Sequence, residues 1–250
     1  MNALELVELN KSFGALAVIN DLNLAIAKGA RHAIIGPNGA GKTTLFNLIT
    51  GWLRPNAGRI LLEGEEITRL AAQTITHRGI ARSFQRNTLM NGLTVGENLR
   101  LAAQAVDAAR RRILVHRLSL TDVIARAAEA ARMMQLEDVT EKLVSELAYG
   151  QKRQLEVAIA LCSKPKILLL DEPAAGTSPA ERARLIELIR GLPPEVTLLL
   201  VEHDMDVVFE VCERITVLSY GKLLITGTPD EVRGNQDVRN AYLGQRSGHG

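Results

Sequence analysis

At 250 residues, 46% of them hydrophobic, the chain is long enough for one large α/β domain or for a core with a smaller attached subdomain. An aromatic content of 3% argues against a surface that stacks sugars or bases, and a net charge of +2 with interspersed signs leaves no electrostatic footprint for nucleic acid. No apolar stretch approaches ~20 residues and the opening Met1-Asn2-Ala3-Leu4-Glu5 lacks a signal-peptide shape, so a cytosolic chain is expected, with any membrane association made through a partner.

Leu4 to Leu9 and Leu22 to Ile26 read as half-buried strands, the second cleanly alternating, with Phe13-Gly14 between them. The short apolar strand Ala33-Ile34-Ile35 leads into Gly36-Pro37-Asn38-Gly39-Ala40-Gly41-Lys42-Thr43, which is G-x-x-x-x-G-K-T, the phosphate-cradling P-loop. Its three glycines allow a tight turn in which successive N–H groups face one concavity and bind phosphate oxygens. Lys42 is placed to reach the β- and γ-phosphates, and the Thr43 hydroxyl to ligate Mg²⁺. The run Thr44 to Thr50, stopped by Gly51, supplies a helix whose N-terminus faces the anion. A nucleoside triphosphate is the expected ligand.

Gly58 to Gly64 brackets a further strand, and Arg82-Ser83-Phe84-Gln85 ends another. From about Leu93 to Leu147 strand character is lost, and Ala, Arg and Glu dominate an inserted all-helical block. Within it Thr121 is expected to cap a helix that buries Val123, Ala127, Ala130 and Met134, and Met133-Met134 reads as core filling. Arg110-Arg111-Arg112 reads as a solvated helix end. Strand character returns in the buried run Ile167 to Leu170, followed by Asp171-Glu172. Ser178-Pro179-Ala180-Glu181 matches a capping box with proline at N1 and opens a helix to about Arg190. Val196 to Val201 is another buried strand, ending in Glu202-His203-Asp204, where Asp204 caps a helix burying Val207, Val208, Val211 and Cys212. The two cysteines, Cys162 and Cys212, read as buried thiols of a reducing compartment. A hairpin turns at Ser219-Tyr220-Gly221-Lys222, and the tail after Ser247 is expected to fray.

Phosphoryl transfer to water needs, beyond the P-loop, a metal carboxylate, a base or water-positioner and a sensor of the γ-phosphate. Asp171 at its strand end suits the metal, and Glu172 suits the base. Together the motifs resemble ATP-binding subunits of ABC transporters, and the resemblance spans essentially the whole chain. In family order stand Phe13 where an aromatic stacks on adenine, the P-loop at Gly36–Thr43 and the Q-loop glutamine Gln85. The signature follows at Leu147-Ala148-Tyr149-Gly150-Gln151, then the Walker B strand ending in Asp171 with Glu172, the D-loop near Gly176–Ser178 and the switch histidine His203. The wording of the signature, of Asp171-Glu172-Pro173-Ala174-Ala175-Gly176 and of Ala241-Tyr242-Leu243-Gly244 is similar to the ATPases of branched-chain amino acid importers.

The resemblance implies a RecA-like α/β core with an antiparallel β-subdomain at residues 1–85 and 155–250, and an inserted helical subdomain at 86–154. It further implies ATP and Mg²⁺ as ligands, with Lys42, Thr43 and Thr44 on phosphates and metal and with Asp171 and Gln85 completing the metal shell. Glu172 activates water and His203 contacts the γ-phosphate. A second ATPase subunit, the same chain or another, would face each ATP with its signature. Two transmembrane permease subunits would hold the pair at the cytoplasmic face of the membrane, with a substrate-binding protein outside. Phe13 has an alternative as a core residue, since the family more often has tyrosine there, and a lone histidine at a strand end has one as a structural residue. Two departures stand out: Ala148 and Tyr149 replace the usual serine and first glycine of the signature, and Ser178 replaces the D-loop aspartate. The alternatives are a soluble ABC-type ATPase of translation or DNA repair, whose usual paired cassettes or long coiled coil this chain lacks, and an importer ATPase for urea or amides.

Overall fold

The computed structural model describes residues 1–83, 89–106 and 118–243. Gln85, the arginine run 110–112 and the tail from Gly244 lie outside the described residues. In chain order the elements are β1 (Asn2–Phe13), β2 (Leu16–Ala27), β3 (Arg31–Ile35), α1 (Lys42–Ile49), β4 (Ala57–Leu62), β5 (Glu65–Glu66), α2 (Ala72–Arg78) and β6 (Ile80–Arg82). Three helices follow, α3 (Val95–Ala105), α4 (Leu118–Met133) and α5 (Tyr149–Leu161). The chain continues through β7 (Ile167–Asp171), α6 (Pro179–Arg190), β8 (Thr197–Val201), α7 (Met205–Val211), β9 (Arg214–Ser219), β10 (Lys222–Gly227), α8 (Pro229–Gly234) and α9 (Gln236–Leu243). Two compact units emerge, Met1–Ile75 with Pro194–Gly250, and Thr76–Pro193.

The first unit holds an antiparallel sheet of order β2-β1-β4-β5. β1 buries Leu4, Leu6 and Leu9, a spacing of two and then three that a regular strand cannot keep on one face. A bulge resolves it: Glu8 sits at φ 48 where the register shifts between Leu6 and Leu9. Asn23 Oδ1 accepts the Glu8 N–H at 2.9 Å, so the displaced amide keeps a partner.

The same unit contains strands in the order β10-β9-β3-β8, with β3 parallel to both β8 and β9. β8 is buried throughout and β3 after Arg31, as expected for parallel strands covered on both faces. One polar chain runs through this apolar layer: His32 Nε2 and Thr216 Oγ1 share a hydrogen bond of 2.7 Å, and Thr216 Oγ1 lies 2.8 Å from Thr226 Oγ1. Burial, aided by the charge of Arg214, pushes the His32 pKa down to about 4. Its ring is therefore neutral and serves the packing of the sheet. α7 begins where the sequence indicates, with Asp204 Oδ1 accepting the Asp206 N–H at 3.0 Å.

In the second unit β6 and β7 pair in parallel, and β7 is buried along its length. Between them in sequence come α3, α4 and α5. α3 opens with a capping box between Thr94 and Glu97, and the buried Asn98 ties its first turn to the preceding chain through Met90 and Thr94. α4 buries Val123, Ala127 and Ala130, and Met134 just beyond it, as the periodicity requires. Thr121 is a correction. It lies exposed within the helix, which already includes Leu118, because leucine and serine are adequate helix formers and carry the helix further back. α6 starts as expected, with the Ser178–Glu181 capping box and Pro179 at N1. Cys162 and Cys212 are buried, and burial raises both thiol pKa values to about 12, so both stay protonated.

Candidate functional site

In the first unit, the segment from β3 to α1 is shaped by backbone contacts. A Cβ on Gly36 would stand 2.3 Å from the Leu218 carbonyl oxygen of β9. Gly41, at φ 102, would meet Val18 O and the Ile19 side chain at 2.8 Å. Only glycine lets the loop press this closely on its neighbours and still turn into the helix. Gly41 is the N-cap of α1 and has no side chain to cap with, so the first-turn amides of Lys42, Thr43 and Thr44 take no side-chain cap. The loop closes on itself through Ala40 N–H to Pro37 O at 3.1 Å, and the β9–β10 turn supports it through Gly221 N–H to Ala40 O at 3.2 Å. Lys42 is buried and folds its ammonium back over the loop, donating to Gly36 O at 2.6 Å and Pro37 O at 3.1 Å. Asn38, Gly39 and Thr43 are exposed and Thr44 partly so, giving the concavity an open mouth.

His203 follows β8 in the same unit, with its side chain exposed and its amide donating to the buried Glu202 Oε2 at 3.1 Å. Phe13 lies at the end of β1, 48% exposed, with Lys11 Nζ 5.1 Å from the ring centroid. It is not a core residue.

In the second unit, Asp171 ends β7 and is buried, while Glu172 holds a left-handed φ of 51. A non-glycine residue in that region carries a strain of about 1–3 kcal/mol, which surrounding structure must sustain. Here the turn that follows does so, with Ala175 N–H bonded to Glu172 O at 3.1 Å. The strained step points the chain out of the strand and leaves the Glu172 side chain partly exposed. Arg82, at the end of β6, donates to Asp171 Oδ2 at 2.5 Å, and Asp171 Oδ1 is buried without a hydrogen-bond partner.

The signature residues open α5. Ala148 is the N-cap and has no acceptor of its own, so only the returning half of a capping box is present: Ala148 N–H donates to Gln151 Oε1 at 3.2 Å. Tyr149 Oη donates to Ala175 O at 3.0 Å and accepts from Arg153 at 2.6 and 3.1 Å. The Gly150 N–H donates to Glu181 Oε1 at 2.8 Å, and Glu181 Oε2 accepts from Ser178. Those bonds from Ser178 and then from Gly150 hold the Glu181 carboxyl below its usual pKa. A Cβ on Gly150 would meet the Glu181 side chain at 2.7 Å, so a larger residue here would displace that carboxyl from the Gly150 amide.

The sequence matches the ABC transporter family over residues 19–175. The chain belongs to that family. A further match, to the C-terminal portion of the branched-chain amino acid ATP-binding cassette transporter family, covers residues 222–247. The chain is 40% identical over 249 residues to the branched-chain amino acid transport ATP-binding protein BraF of Pseudomonas aeruginosa, covering 97% of this chain and 98% of that one. It is 39% identical over 240 residues to LivG of Escherichia coli, covering 93% and 94% respectively. Among solved structures, an ABC transporter cassette in its ADP conformation matches with a TM-score of 0.85 at 27% identity, covering 98% of this chain and 99% of that one.

As an ABC ATPase, the chain has the expected RecA-like P-loop fold, with an antiparallel sheet and helices between β6 and β7. Two features of its site were not anticipated from sequence. Tyr149 and Glu181 tie the signature to the turn at 174–178, and the signal was the tyrosine standing where the family has glycine. Arg82 binds the Walker B carboxylate, and its signal was a cation at the end of a strand leading to Gln85. Among the described residues no group of three His, Cys, Asp or Glu is placed to hold a metal ion. The donor set instead suits Mg²⁺, a hard cation that takes one or two protein oxygens and completes its shell with phosphates and water. Asp171 Oδ1, a buried carboxylate oxygen with no other partner, is the oxygen that fits.

Proposed function

We propose that this ABC ATPase powers import of branched-chain or related amino acids. The observation that carries the reading is the match at residues 222–247, which lies beyond the 19–175 segment matched by ABC transporters at large. It is supported by two relatives named for branched-chain amino acid transport at 39–40% identity over nearly the whole chain.

In this reading the loop Gly36–Thr43 and Thr44 hold the phosphates of ATP through backbone amides, and Lys42 exchanges the loop carbonyls for phosphate oxygens. Thr43, Asp171 and Gln85 would hold Mg²⁺, which when bound would supply positive charge to offset that of the phosphates. Glu172 takes the proton of the attacking water, and His203 contacts the γ-phosphate. Phe13 offers an exposed ring face to adenine. Ala148, Tyr149, Gly150 and Gln151 face the ATP of a second ATPase subunit, identical or not. No helix among the described residues is long and apolar enough to cross a membrane, which suits a subunit held peripherally at the cytoplasmic face by two permease subunits. A binding protein on the far side delivers the substrate, and nucleic acid has no part. Residues 86–154 act as the inserted helical subdomain that passes motion to the permeases, and residues 1–85 and 155–250 form the core that holds ATP.

The test is reconstitution in vesicles with the permease subunits, the second ATPase and the binding protein. Leucine, isoleucine or valine should stimulate phosphate release and accumulate inside. Stimulation by urea or short amides with none by these amino acids would overturn the substrate class.

A further inference from the structure

We propose that Arg82 is a positioning residue for the metal carboxylate, holding Asp171 by one oxygen so that the other is presented to Mg²⁺. The inference rests on the reading of Asp171 as the Mg²⁺ carboxylate.

β6 and β7 run in parallel with Arg82 opposite Leu169, and Asp171 lies two residues further along, on the same face of the strand as Leu169. A long side chain at the end of β6 therefore reaches forward to the end of β7. The resulting ion pair is out of water: the Asp171 side chain is 1% exposed and that of Arg82 10%. Burying a carboxylate away from any counter-charge is costly, so the guanidinium offsets that cost and keeps the Asp171 side chain in place.

The geometry of the pair matters as much as its charge. Guanidinium groups commonly take both oxygens of a carboxylate in a two-pronged contact. Arg82 takes only Oδ2, and Oδ1 is left buried with no hydrogen-bond partner. One locked oxygen stops the carboxylate from rotating, so Oδ1 has a single direction. That is the relation in which an outer partner orients a metal ligand, and removing such a partner characteristically costs 10–100-fold in metal affinity. The positive charge of Arg82 works against a dication, but the phosphates that accompany Mg²⁺ bring more than enough negative charge to offset it. Orientation therefore decides the sign.

The experiment compares affinity for a non-hydrolysable ATP analogue in Mg²⁺ and in EDTA, on the full chain, by titration calorimetry. Arg82→Met keeps the buried stem and removes the donors. It should cut the Mg²⁺-dependent gain in affinity about 10–100-fold and leave the affinity in EDTA unchanged. Arg82→Lys keeps a cationic donor for Oδ2 and should stay within about threefold of the wild type. If Arg82→Met does not fold, Arg82→Leu, which also lacks any donor, is read in its place against the same limits. A gain left intact in the donor-less variant overturns the proposal, and an enhanced gain shows instead that arginine competes with the metal. A loss of affinity equal in Mg²⁺ and EDTA marks a merely structural residue and also overturns it. Asp171→Asn separates the two levels of the argument. If that variant keeps the full gain, or if the wild type shows none, the metal reading of Asp171 falls. If it loses the gain while Arg82→Met keeps it, only the role of Arg82 falls.

Discussion

The two units build their parts of the machinery by different means. The P-loop is a backbone object: glycines at 36 and 41 fill spaces no side chain could enter, and Lys42 bonds to carbonyls of its own loop. The Walker B and signature region is a side-chain object. Arg82 holds Asp171, Glu181 holds Gly150 and Ser178, and Tyr149 holds Ala175. A backbone-shaped site tolerates no added carbon, whereas a site tied by side chains loses its ties one hydrogen bond at a time. Ligand capture by the first unit should therefore be all-or-none under substitution, and adjustment of the second unit graded.

The largest expected effect removes chemistry without touching either scaffold. Glu172→Gln keeps the shape of the strained turn and deletes the carboxylate proposed as the base, so turnover should fall about 10²–10⁴-fold with ATP binding preserved. Phosphate release and nucleotide titration on the same sample check it, and wild-type hydrolysis would remove Glu172 from the base role. Applied to one ATPase subunit at a time in the assembled transporter, the same change tests whether the sites are unequal. The Tyr149 hydroxyl is bonded to Ala175 O, so it would have to give up that bond to stand in for the missing signature serine. The site that faces Ala148 should be the weaker one, and equal losses from the two glutamate variants would refute this.

Gly36→Ala tests the backbone half. A methyl 2.3 Å from the Leu218 carbonyl forces either β9 or the loop to move, at about 2–4 kcal/mol. Melting should fall by about 5–15 °C, and ATP affinity should fall with it. A variant that melts and binds like the wild type would show the loop to be looser than its contacts indicate.

The third prediction concerns the polar chain inside the first unit. His32 has its pKa lowered to about 4 in the fold, against 6.5 when unfolded. Stability is therefore fully present above pH 6.5, and it is lost as pH falls toward 4 because the unfolded chain binds the proton first. Between pH 7 and 5 the loss from this residue is about 2 kcal/mol. Urea midpoints at the two pH values measure it, and His32→Gln should flatten the difference. An unchanged slope in that variant would assign the acid sensitivity elsewhere.

The smallest effect is the graded one. Tyr149→Phe deletes a hydroxyl on a side chain that is 45% exposed, and should cost only about 0.5–1.5 kcal/mol, a melting shift of about 1–5 °C. Binding of ATP by the isolated chain should not change. A loss as large as that of Gly36→Ala would erase the contrast between the two regions.

What the amino-acid sequence determined by itself was whatever rests on local backbone chemistry. Glycine spacing marked the P-loop, Ser178-Pro179 and Asp204 marked the helix starts, unbroken apolar runs marked β7 and β8, and Tyr220-Gly221 marked the late turn, because each is decided by residues a few positions apart. Tertiary structure alone decided what depends on partners far along the chain. The bulge at Glu8 needs Asn23, the neutral state of His32 needs burial beside Thr216, and the single-oxygen grip of Arg82 on Asp171 spans 89 residues of sequence. Side-chain pairing at that range follows from which strands become neighbours, and no local pattern carries that information.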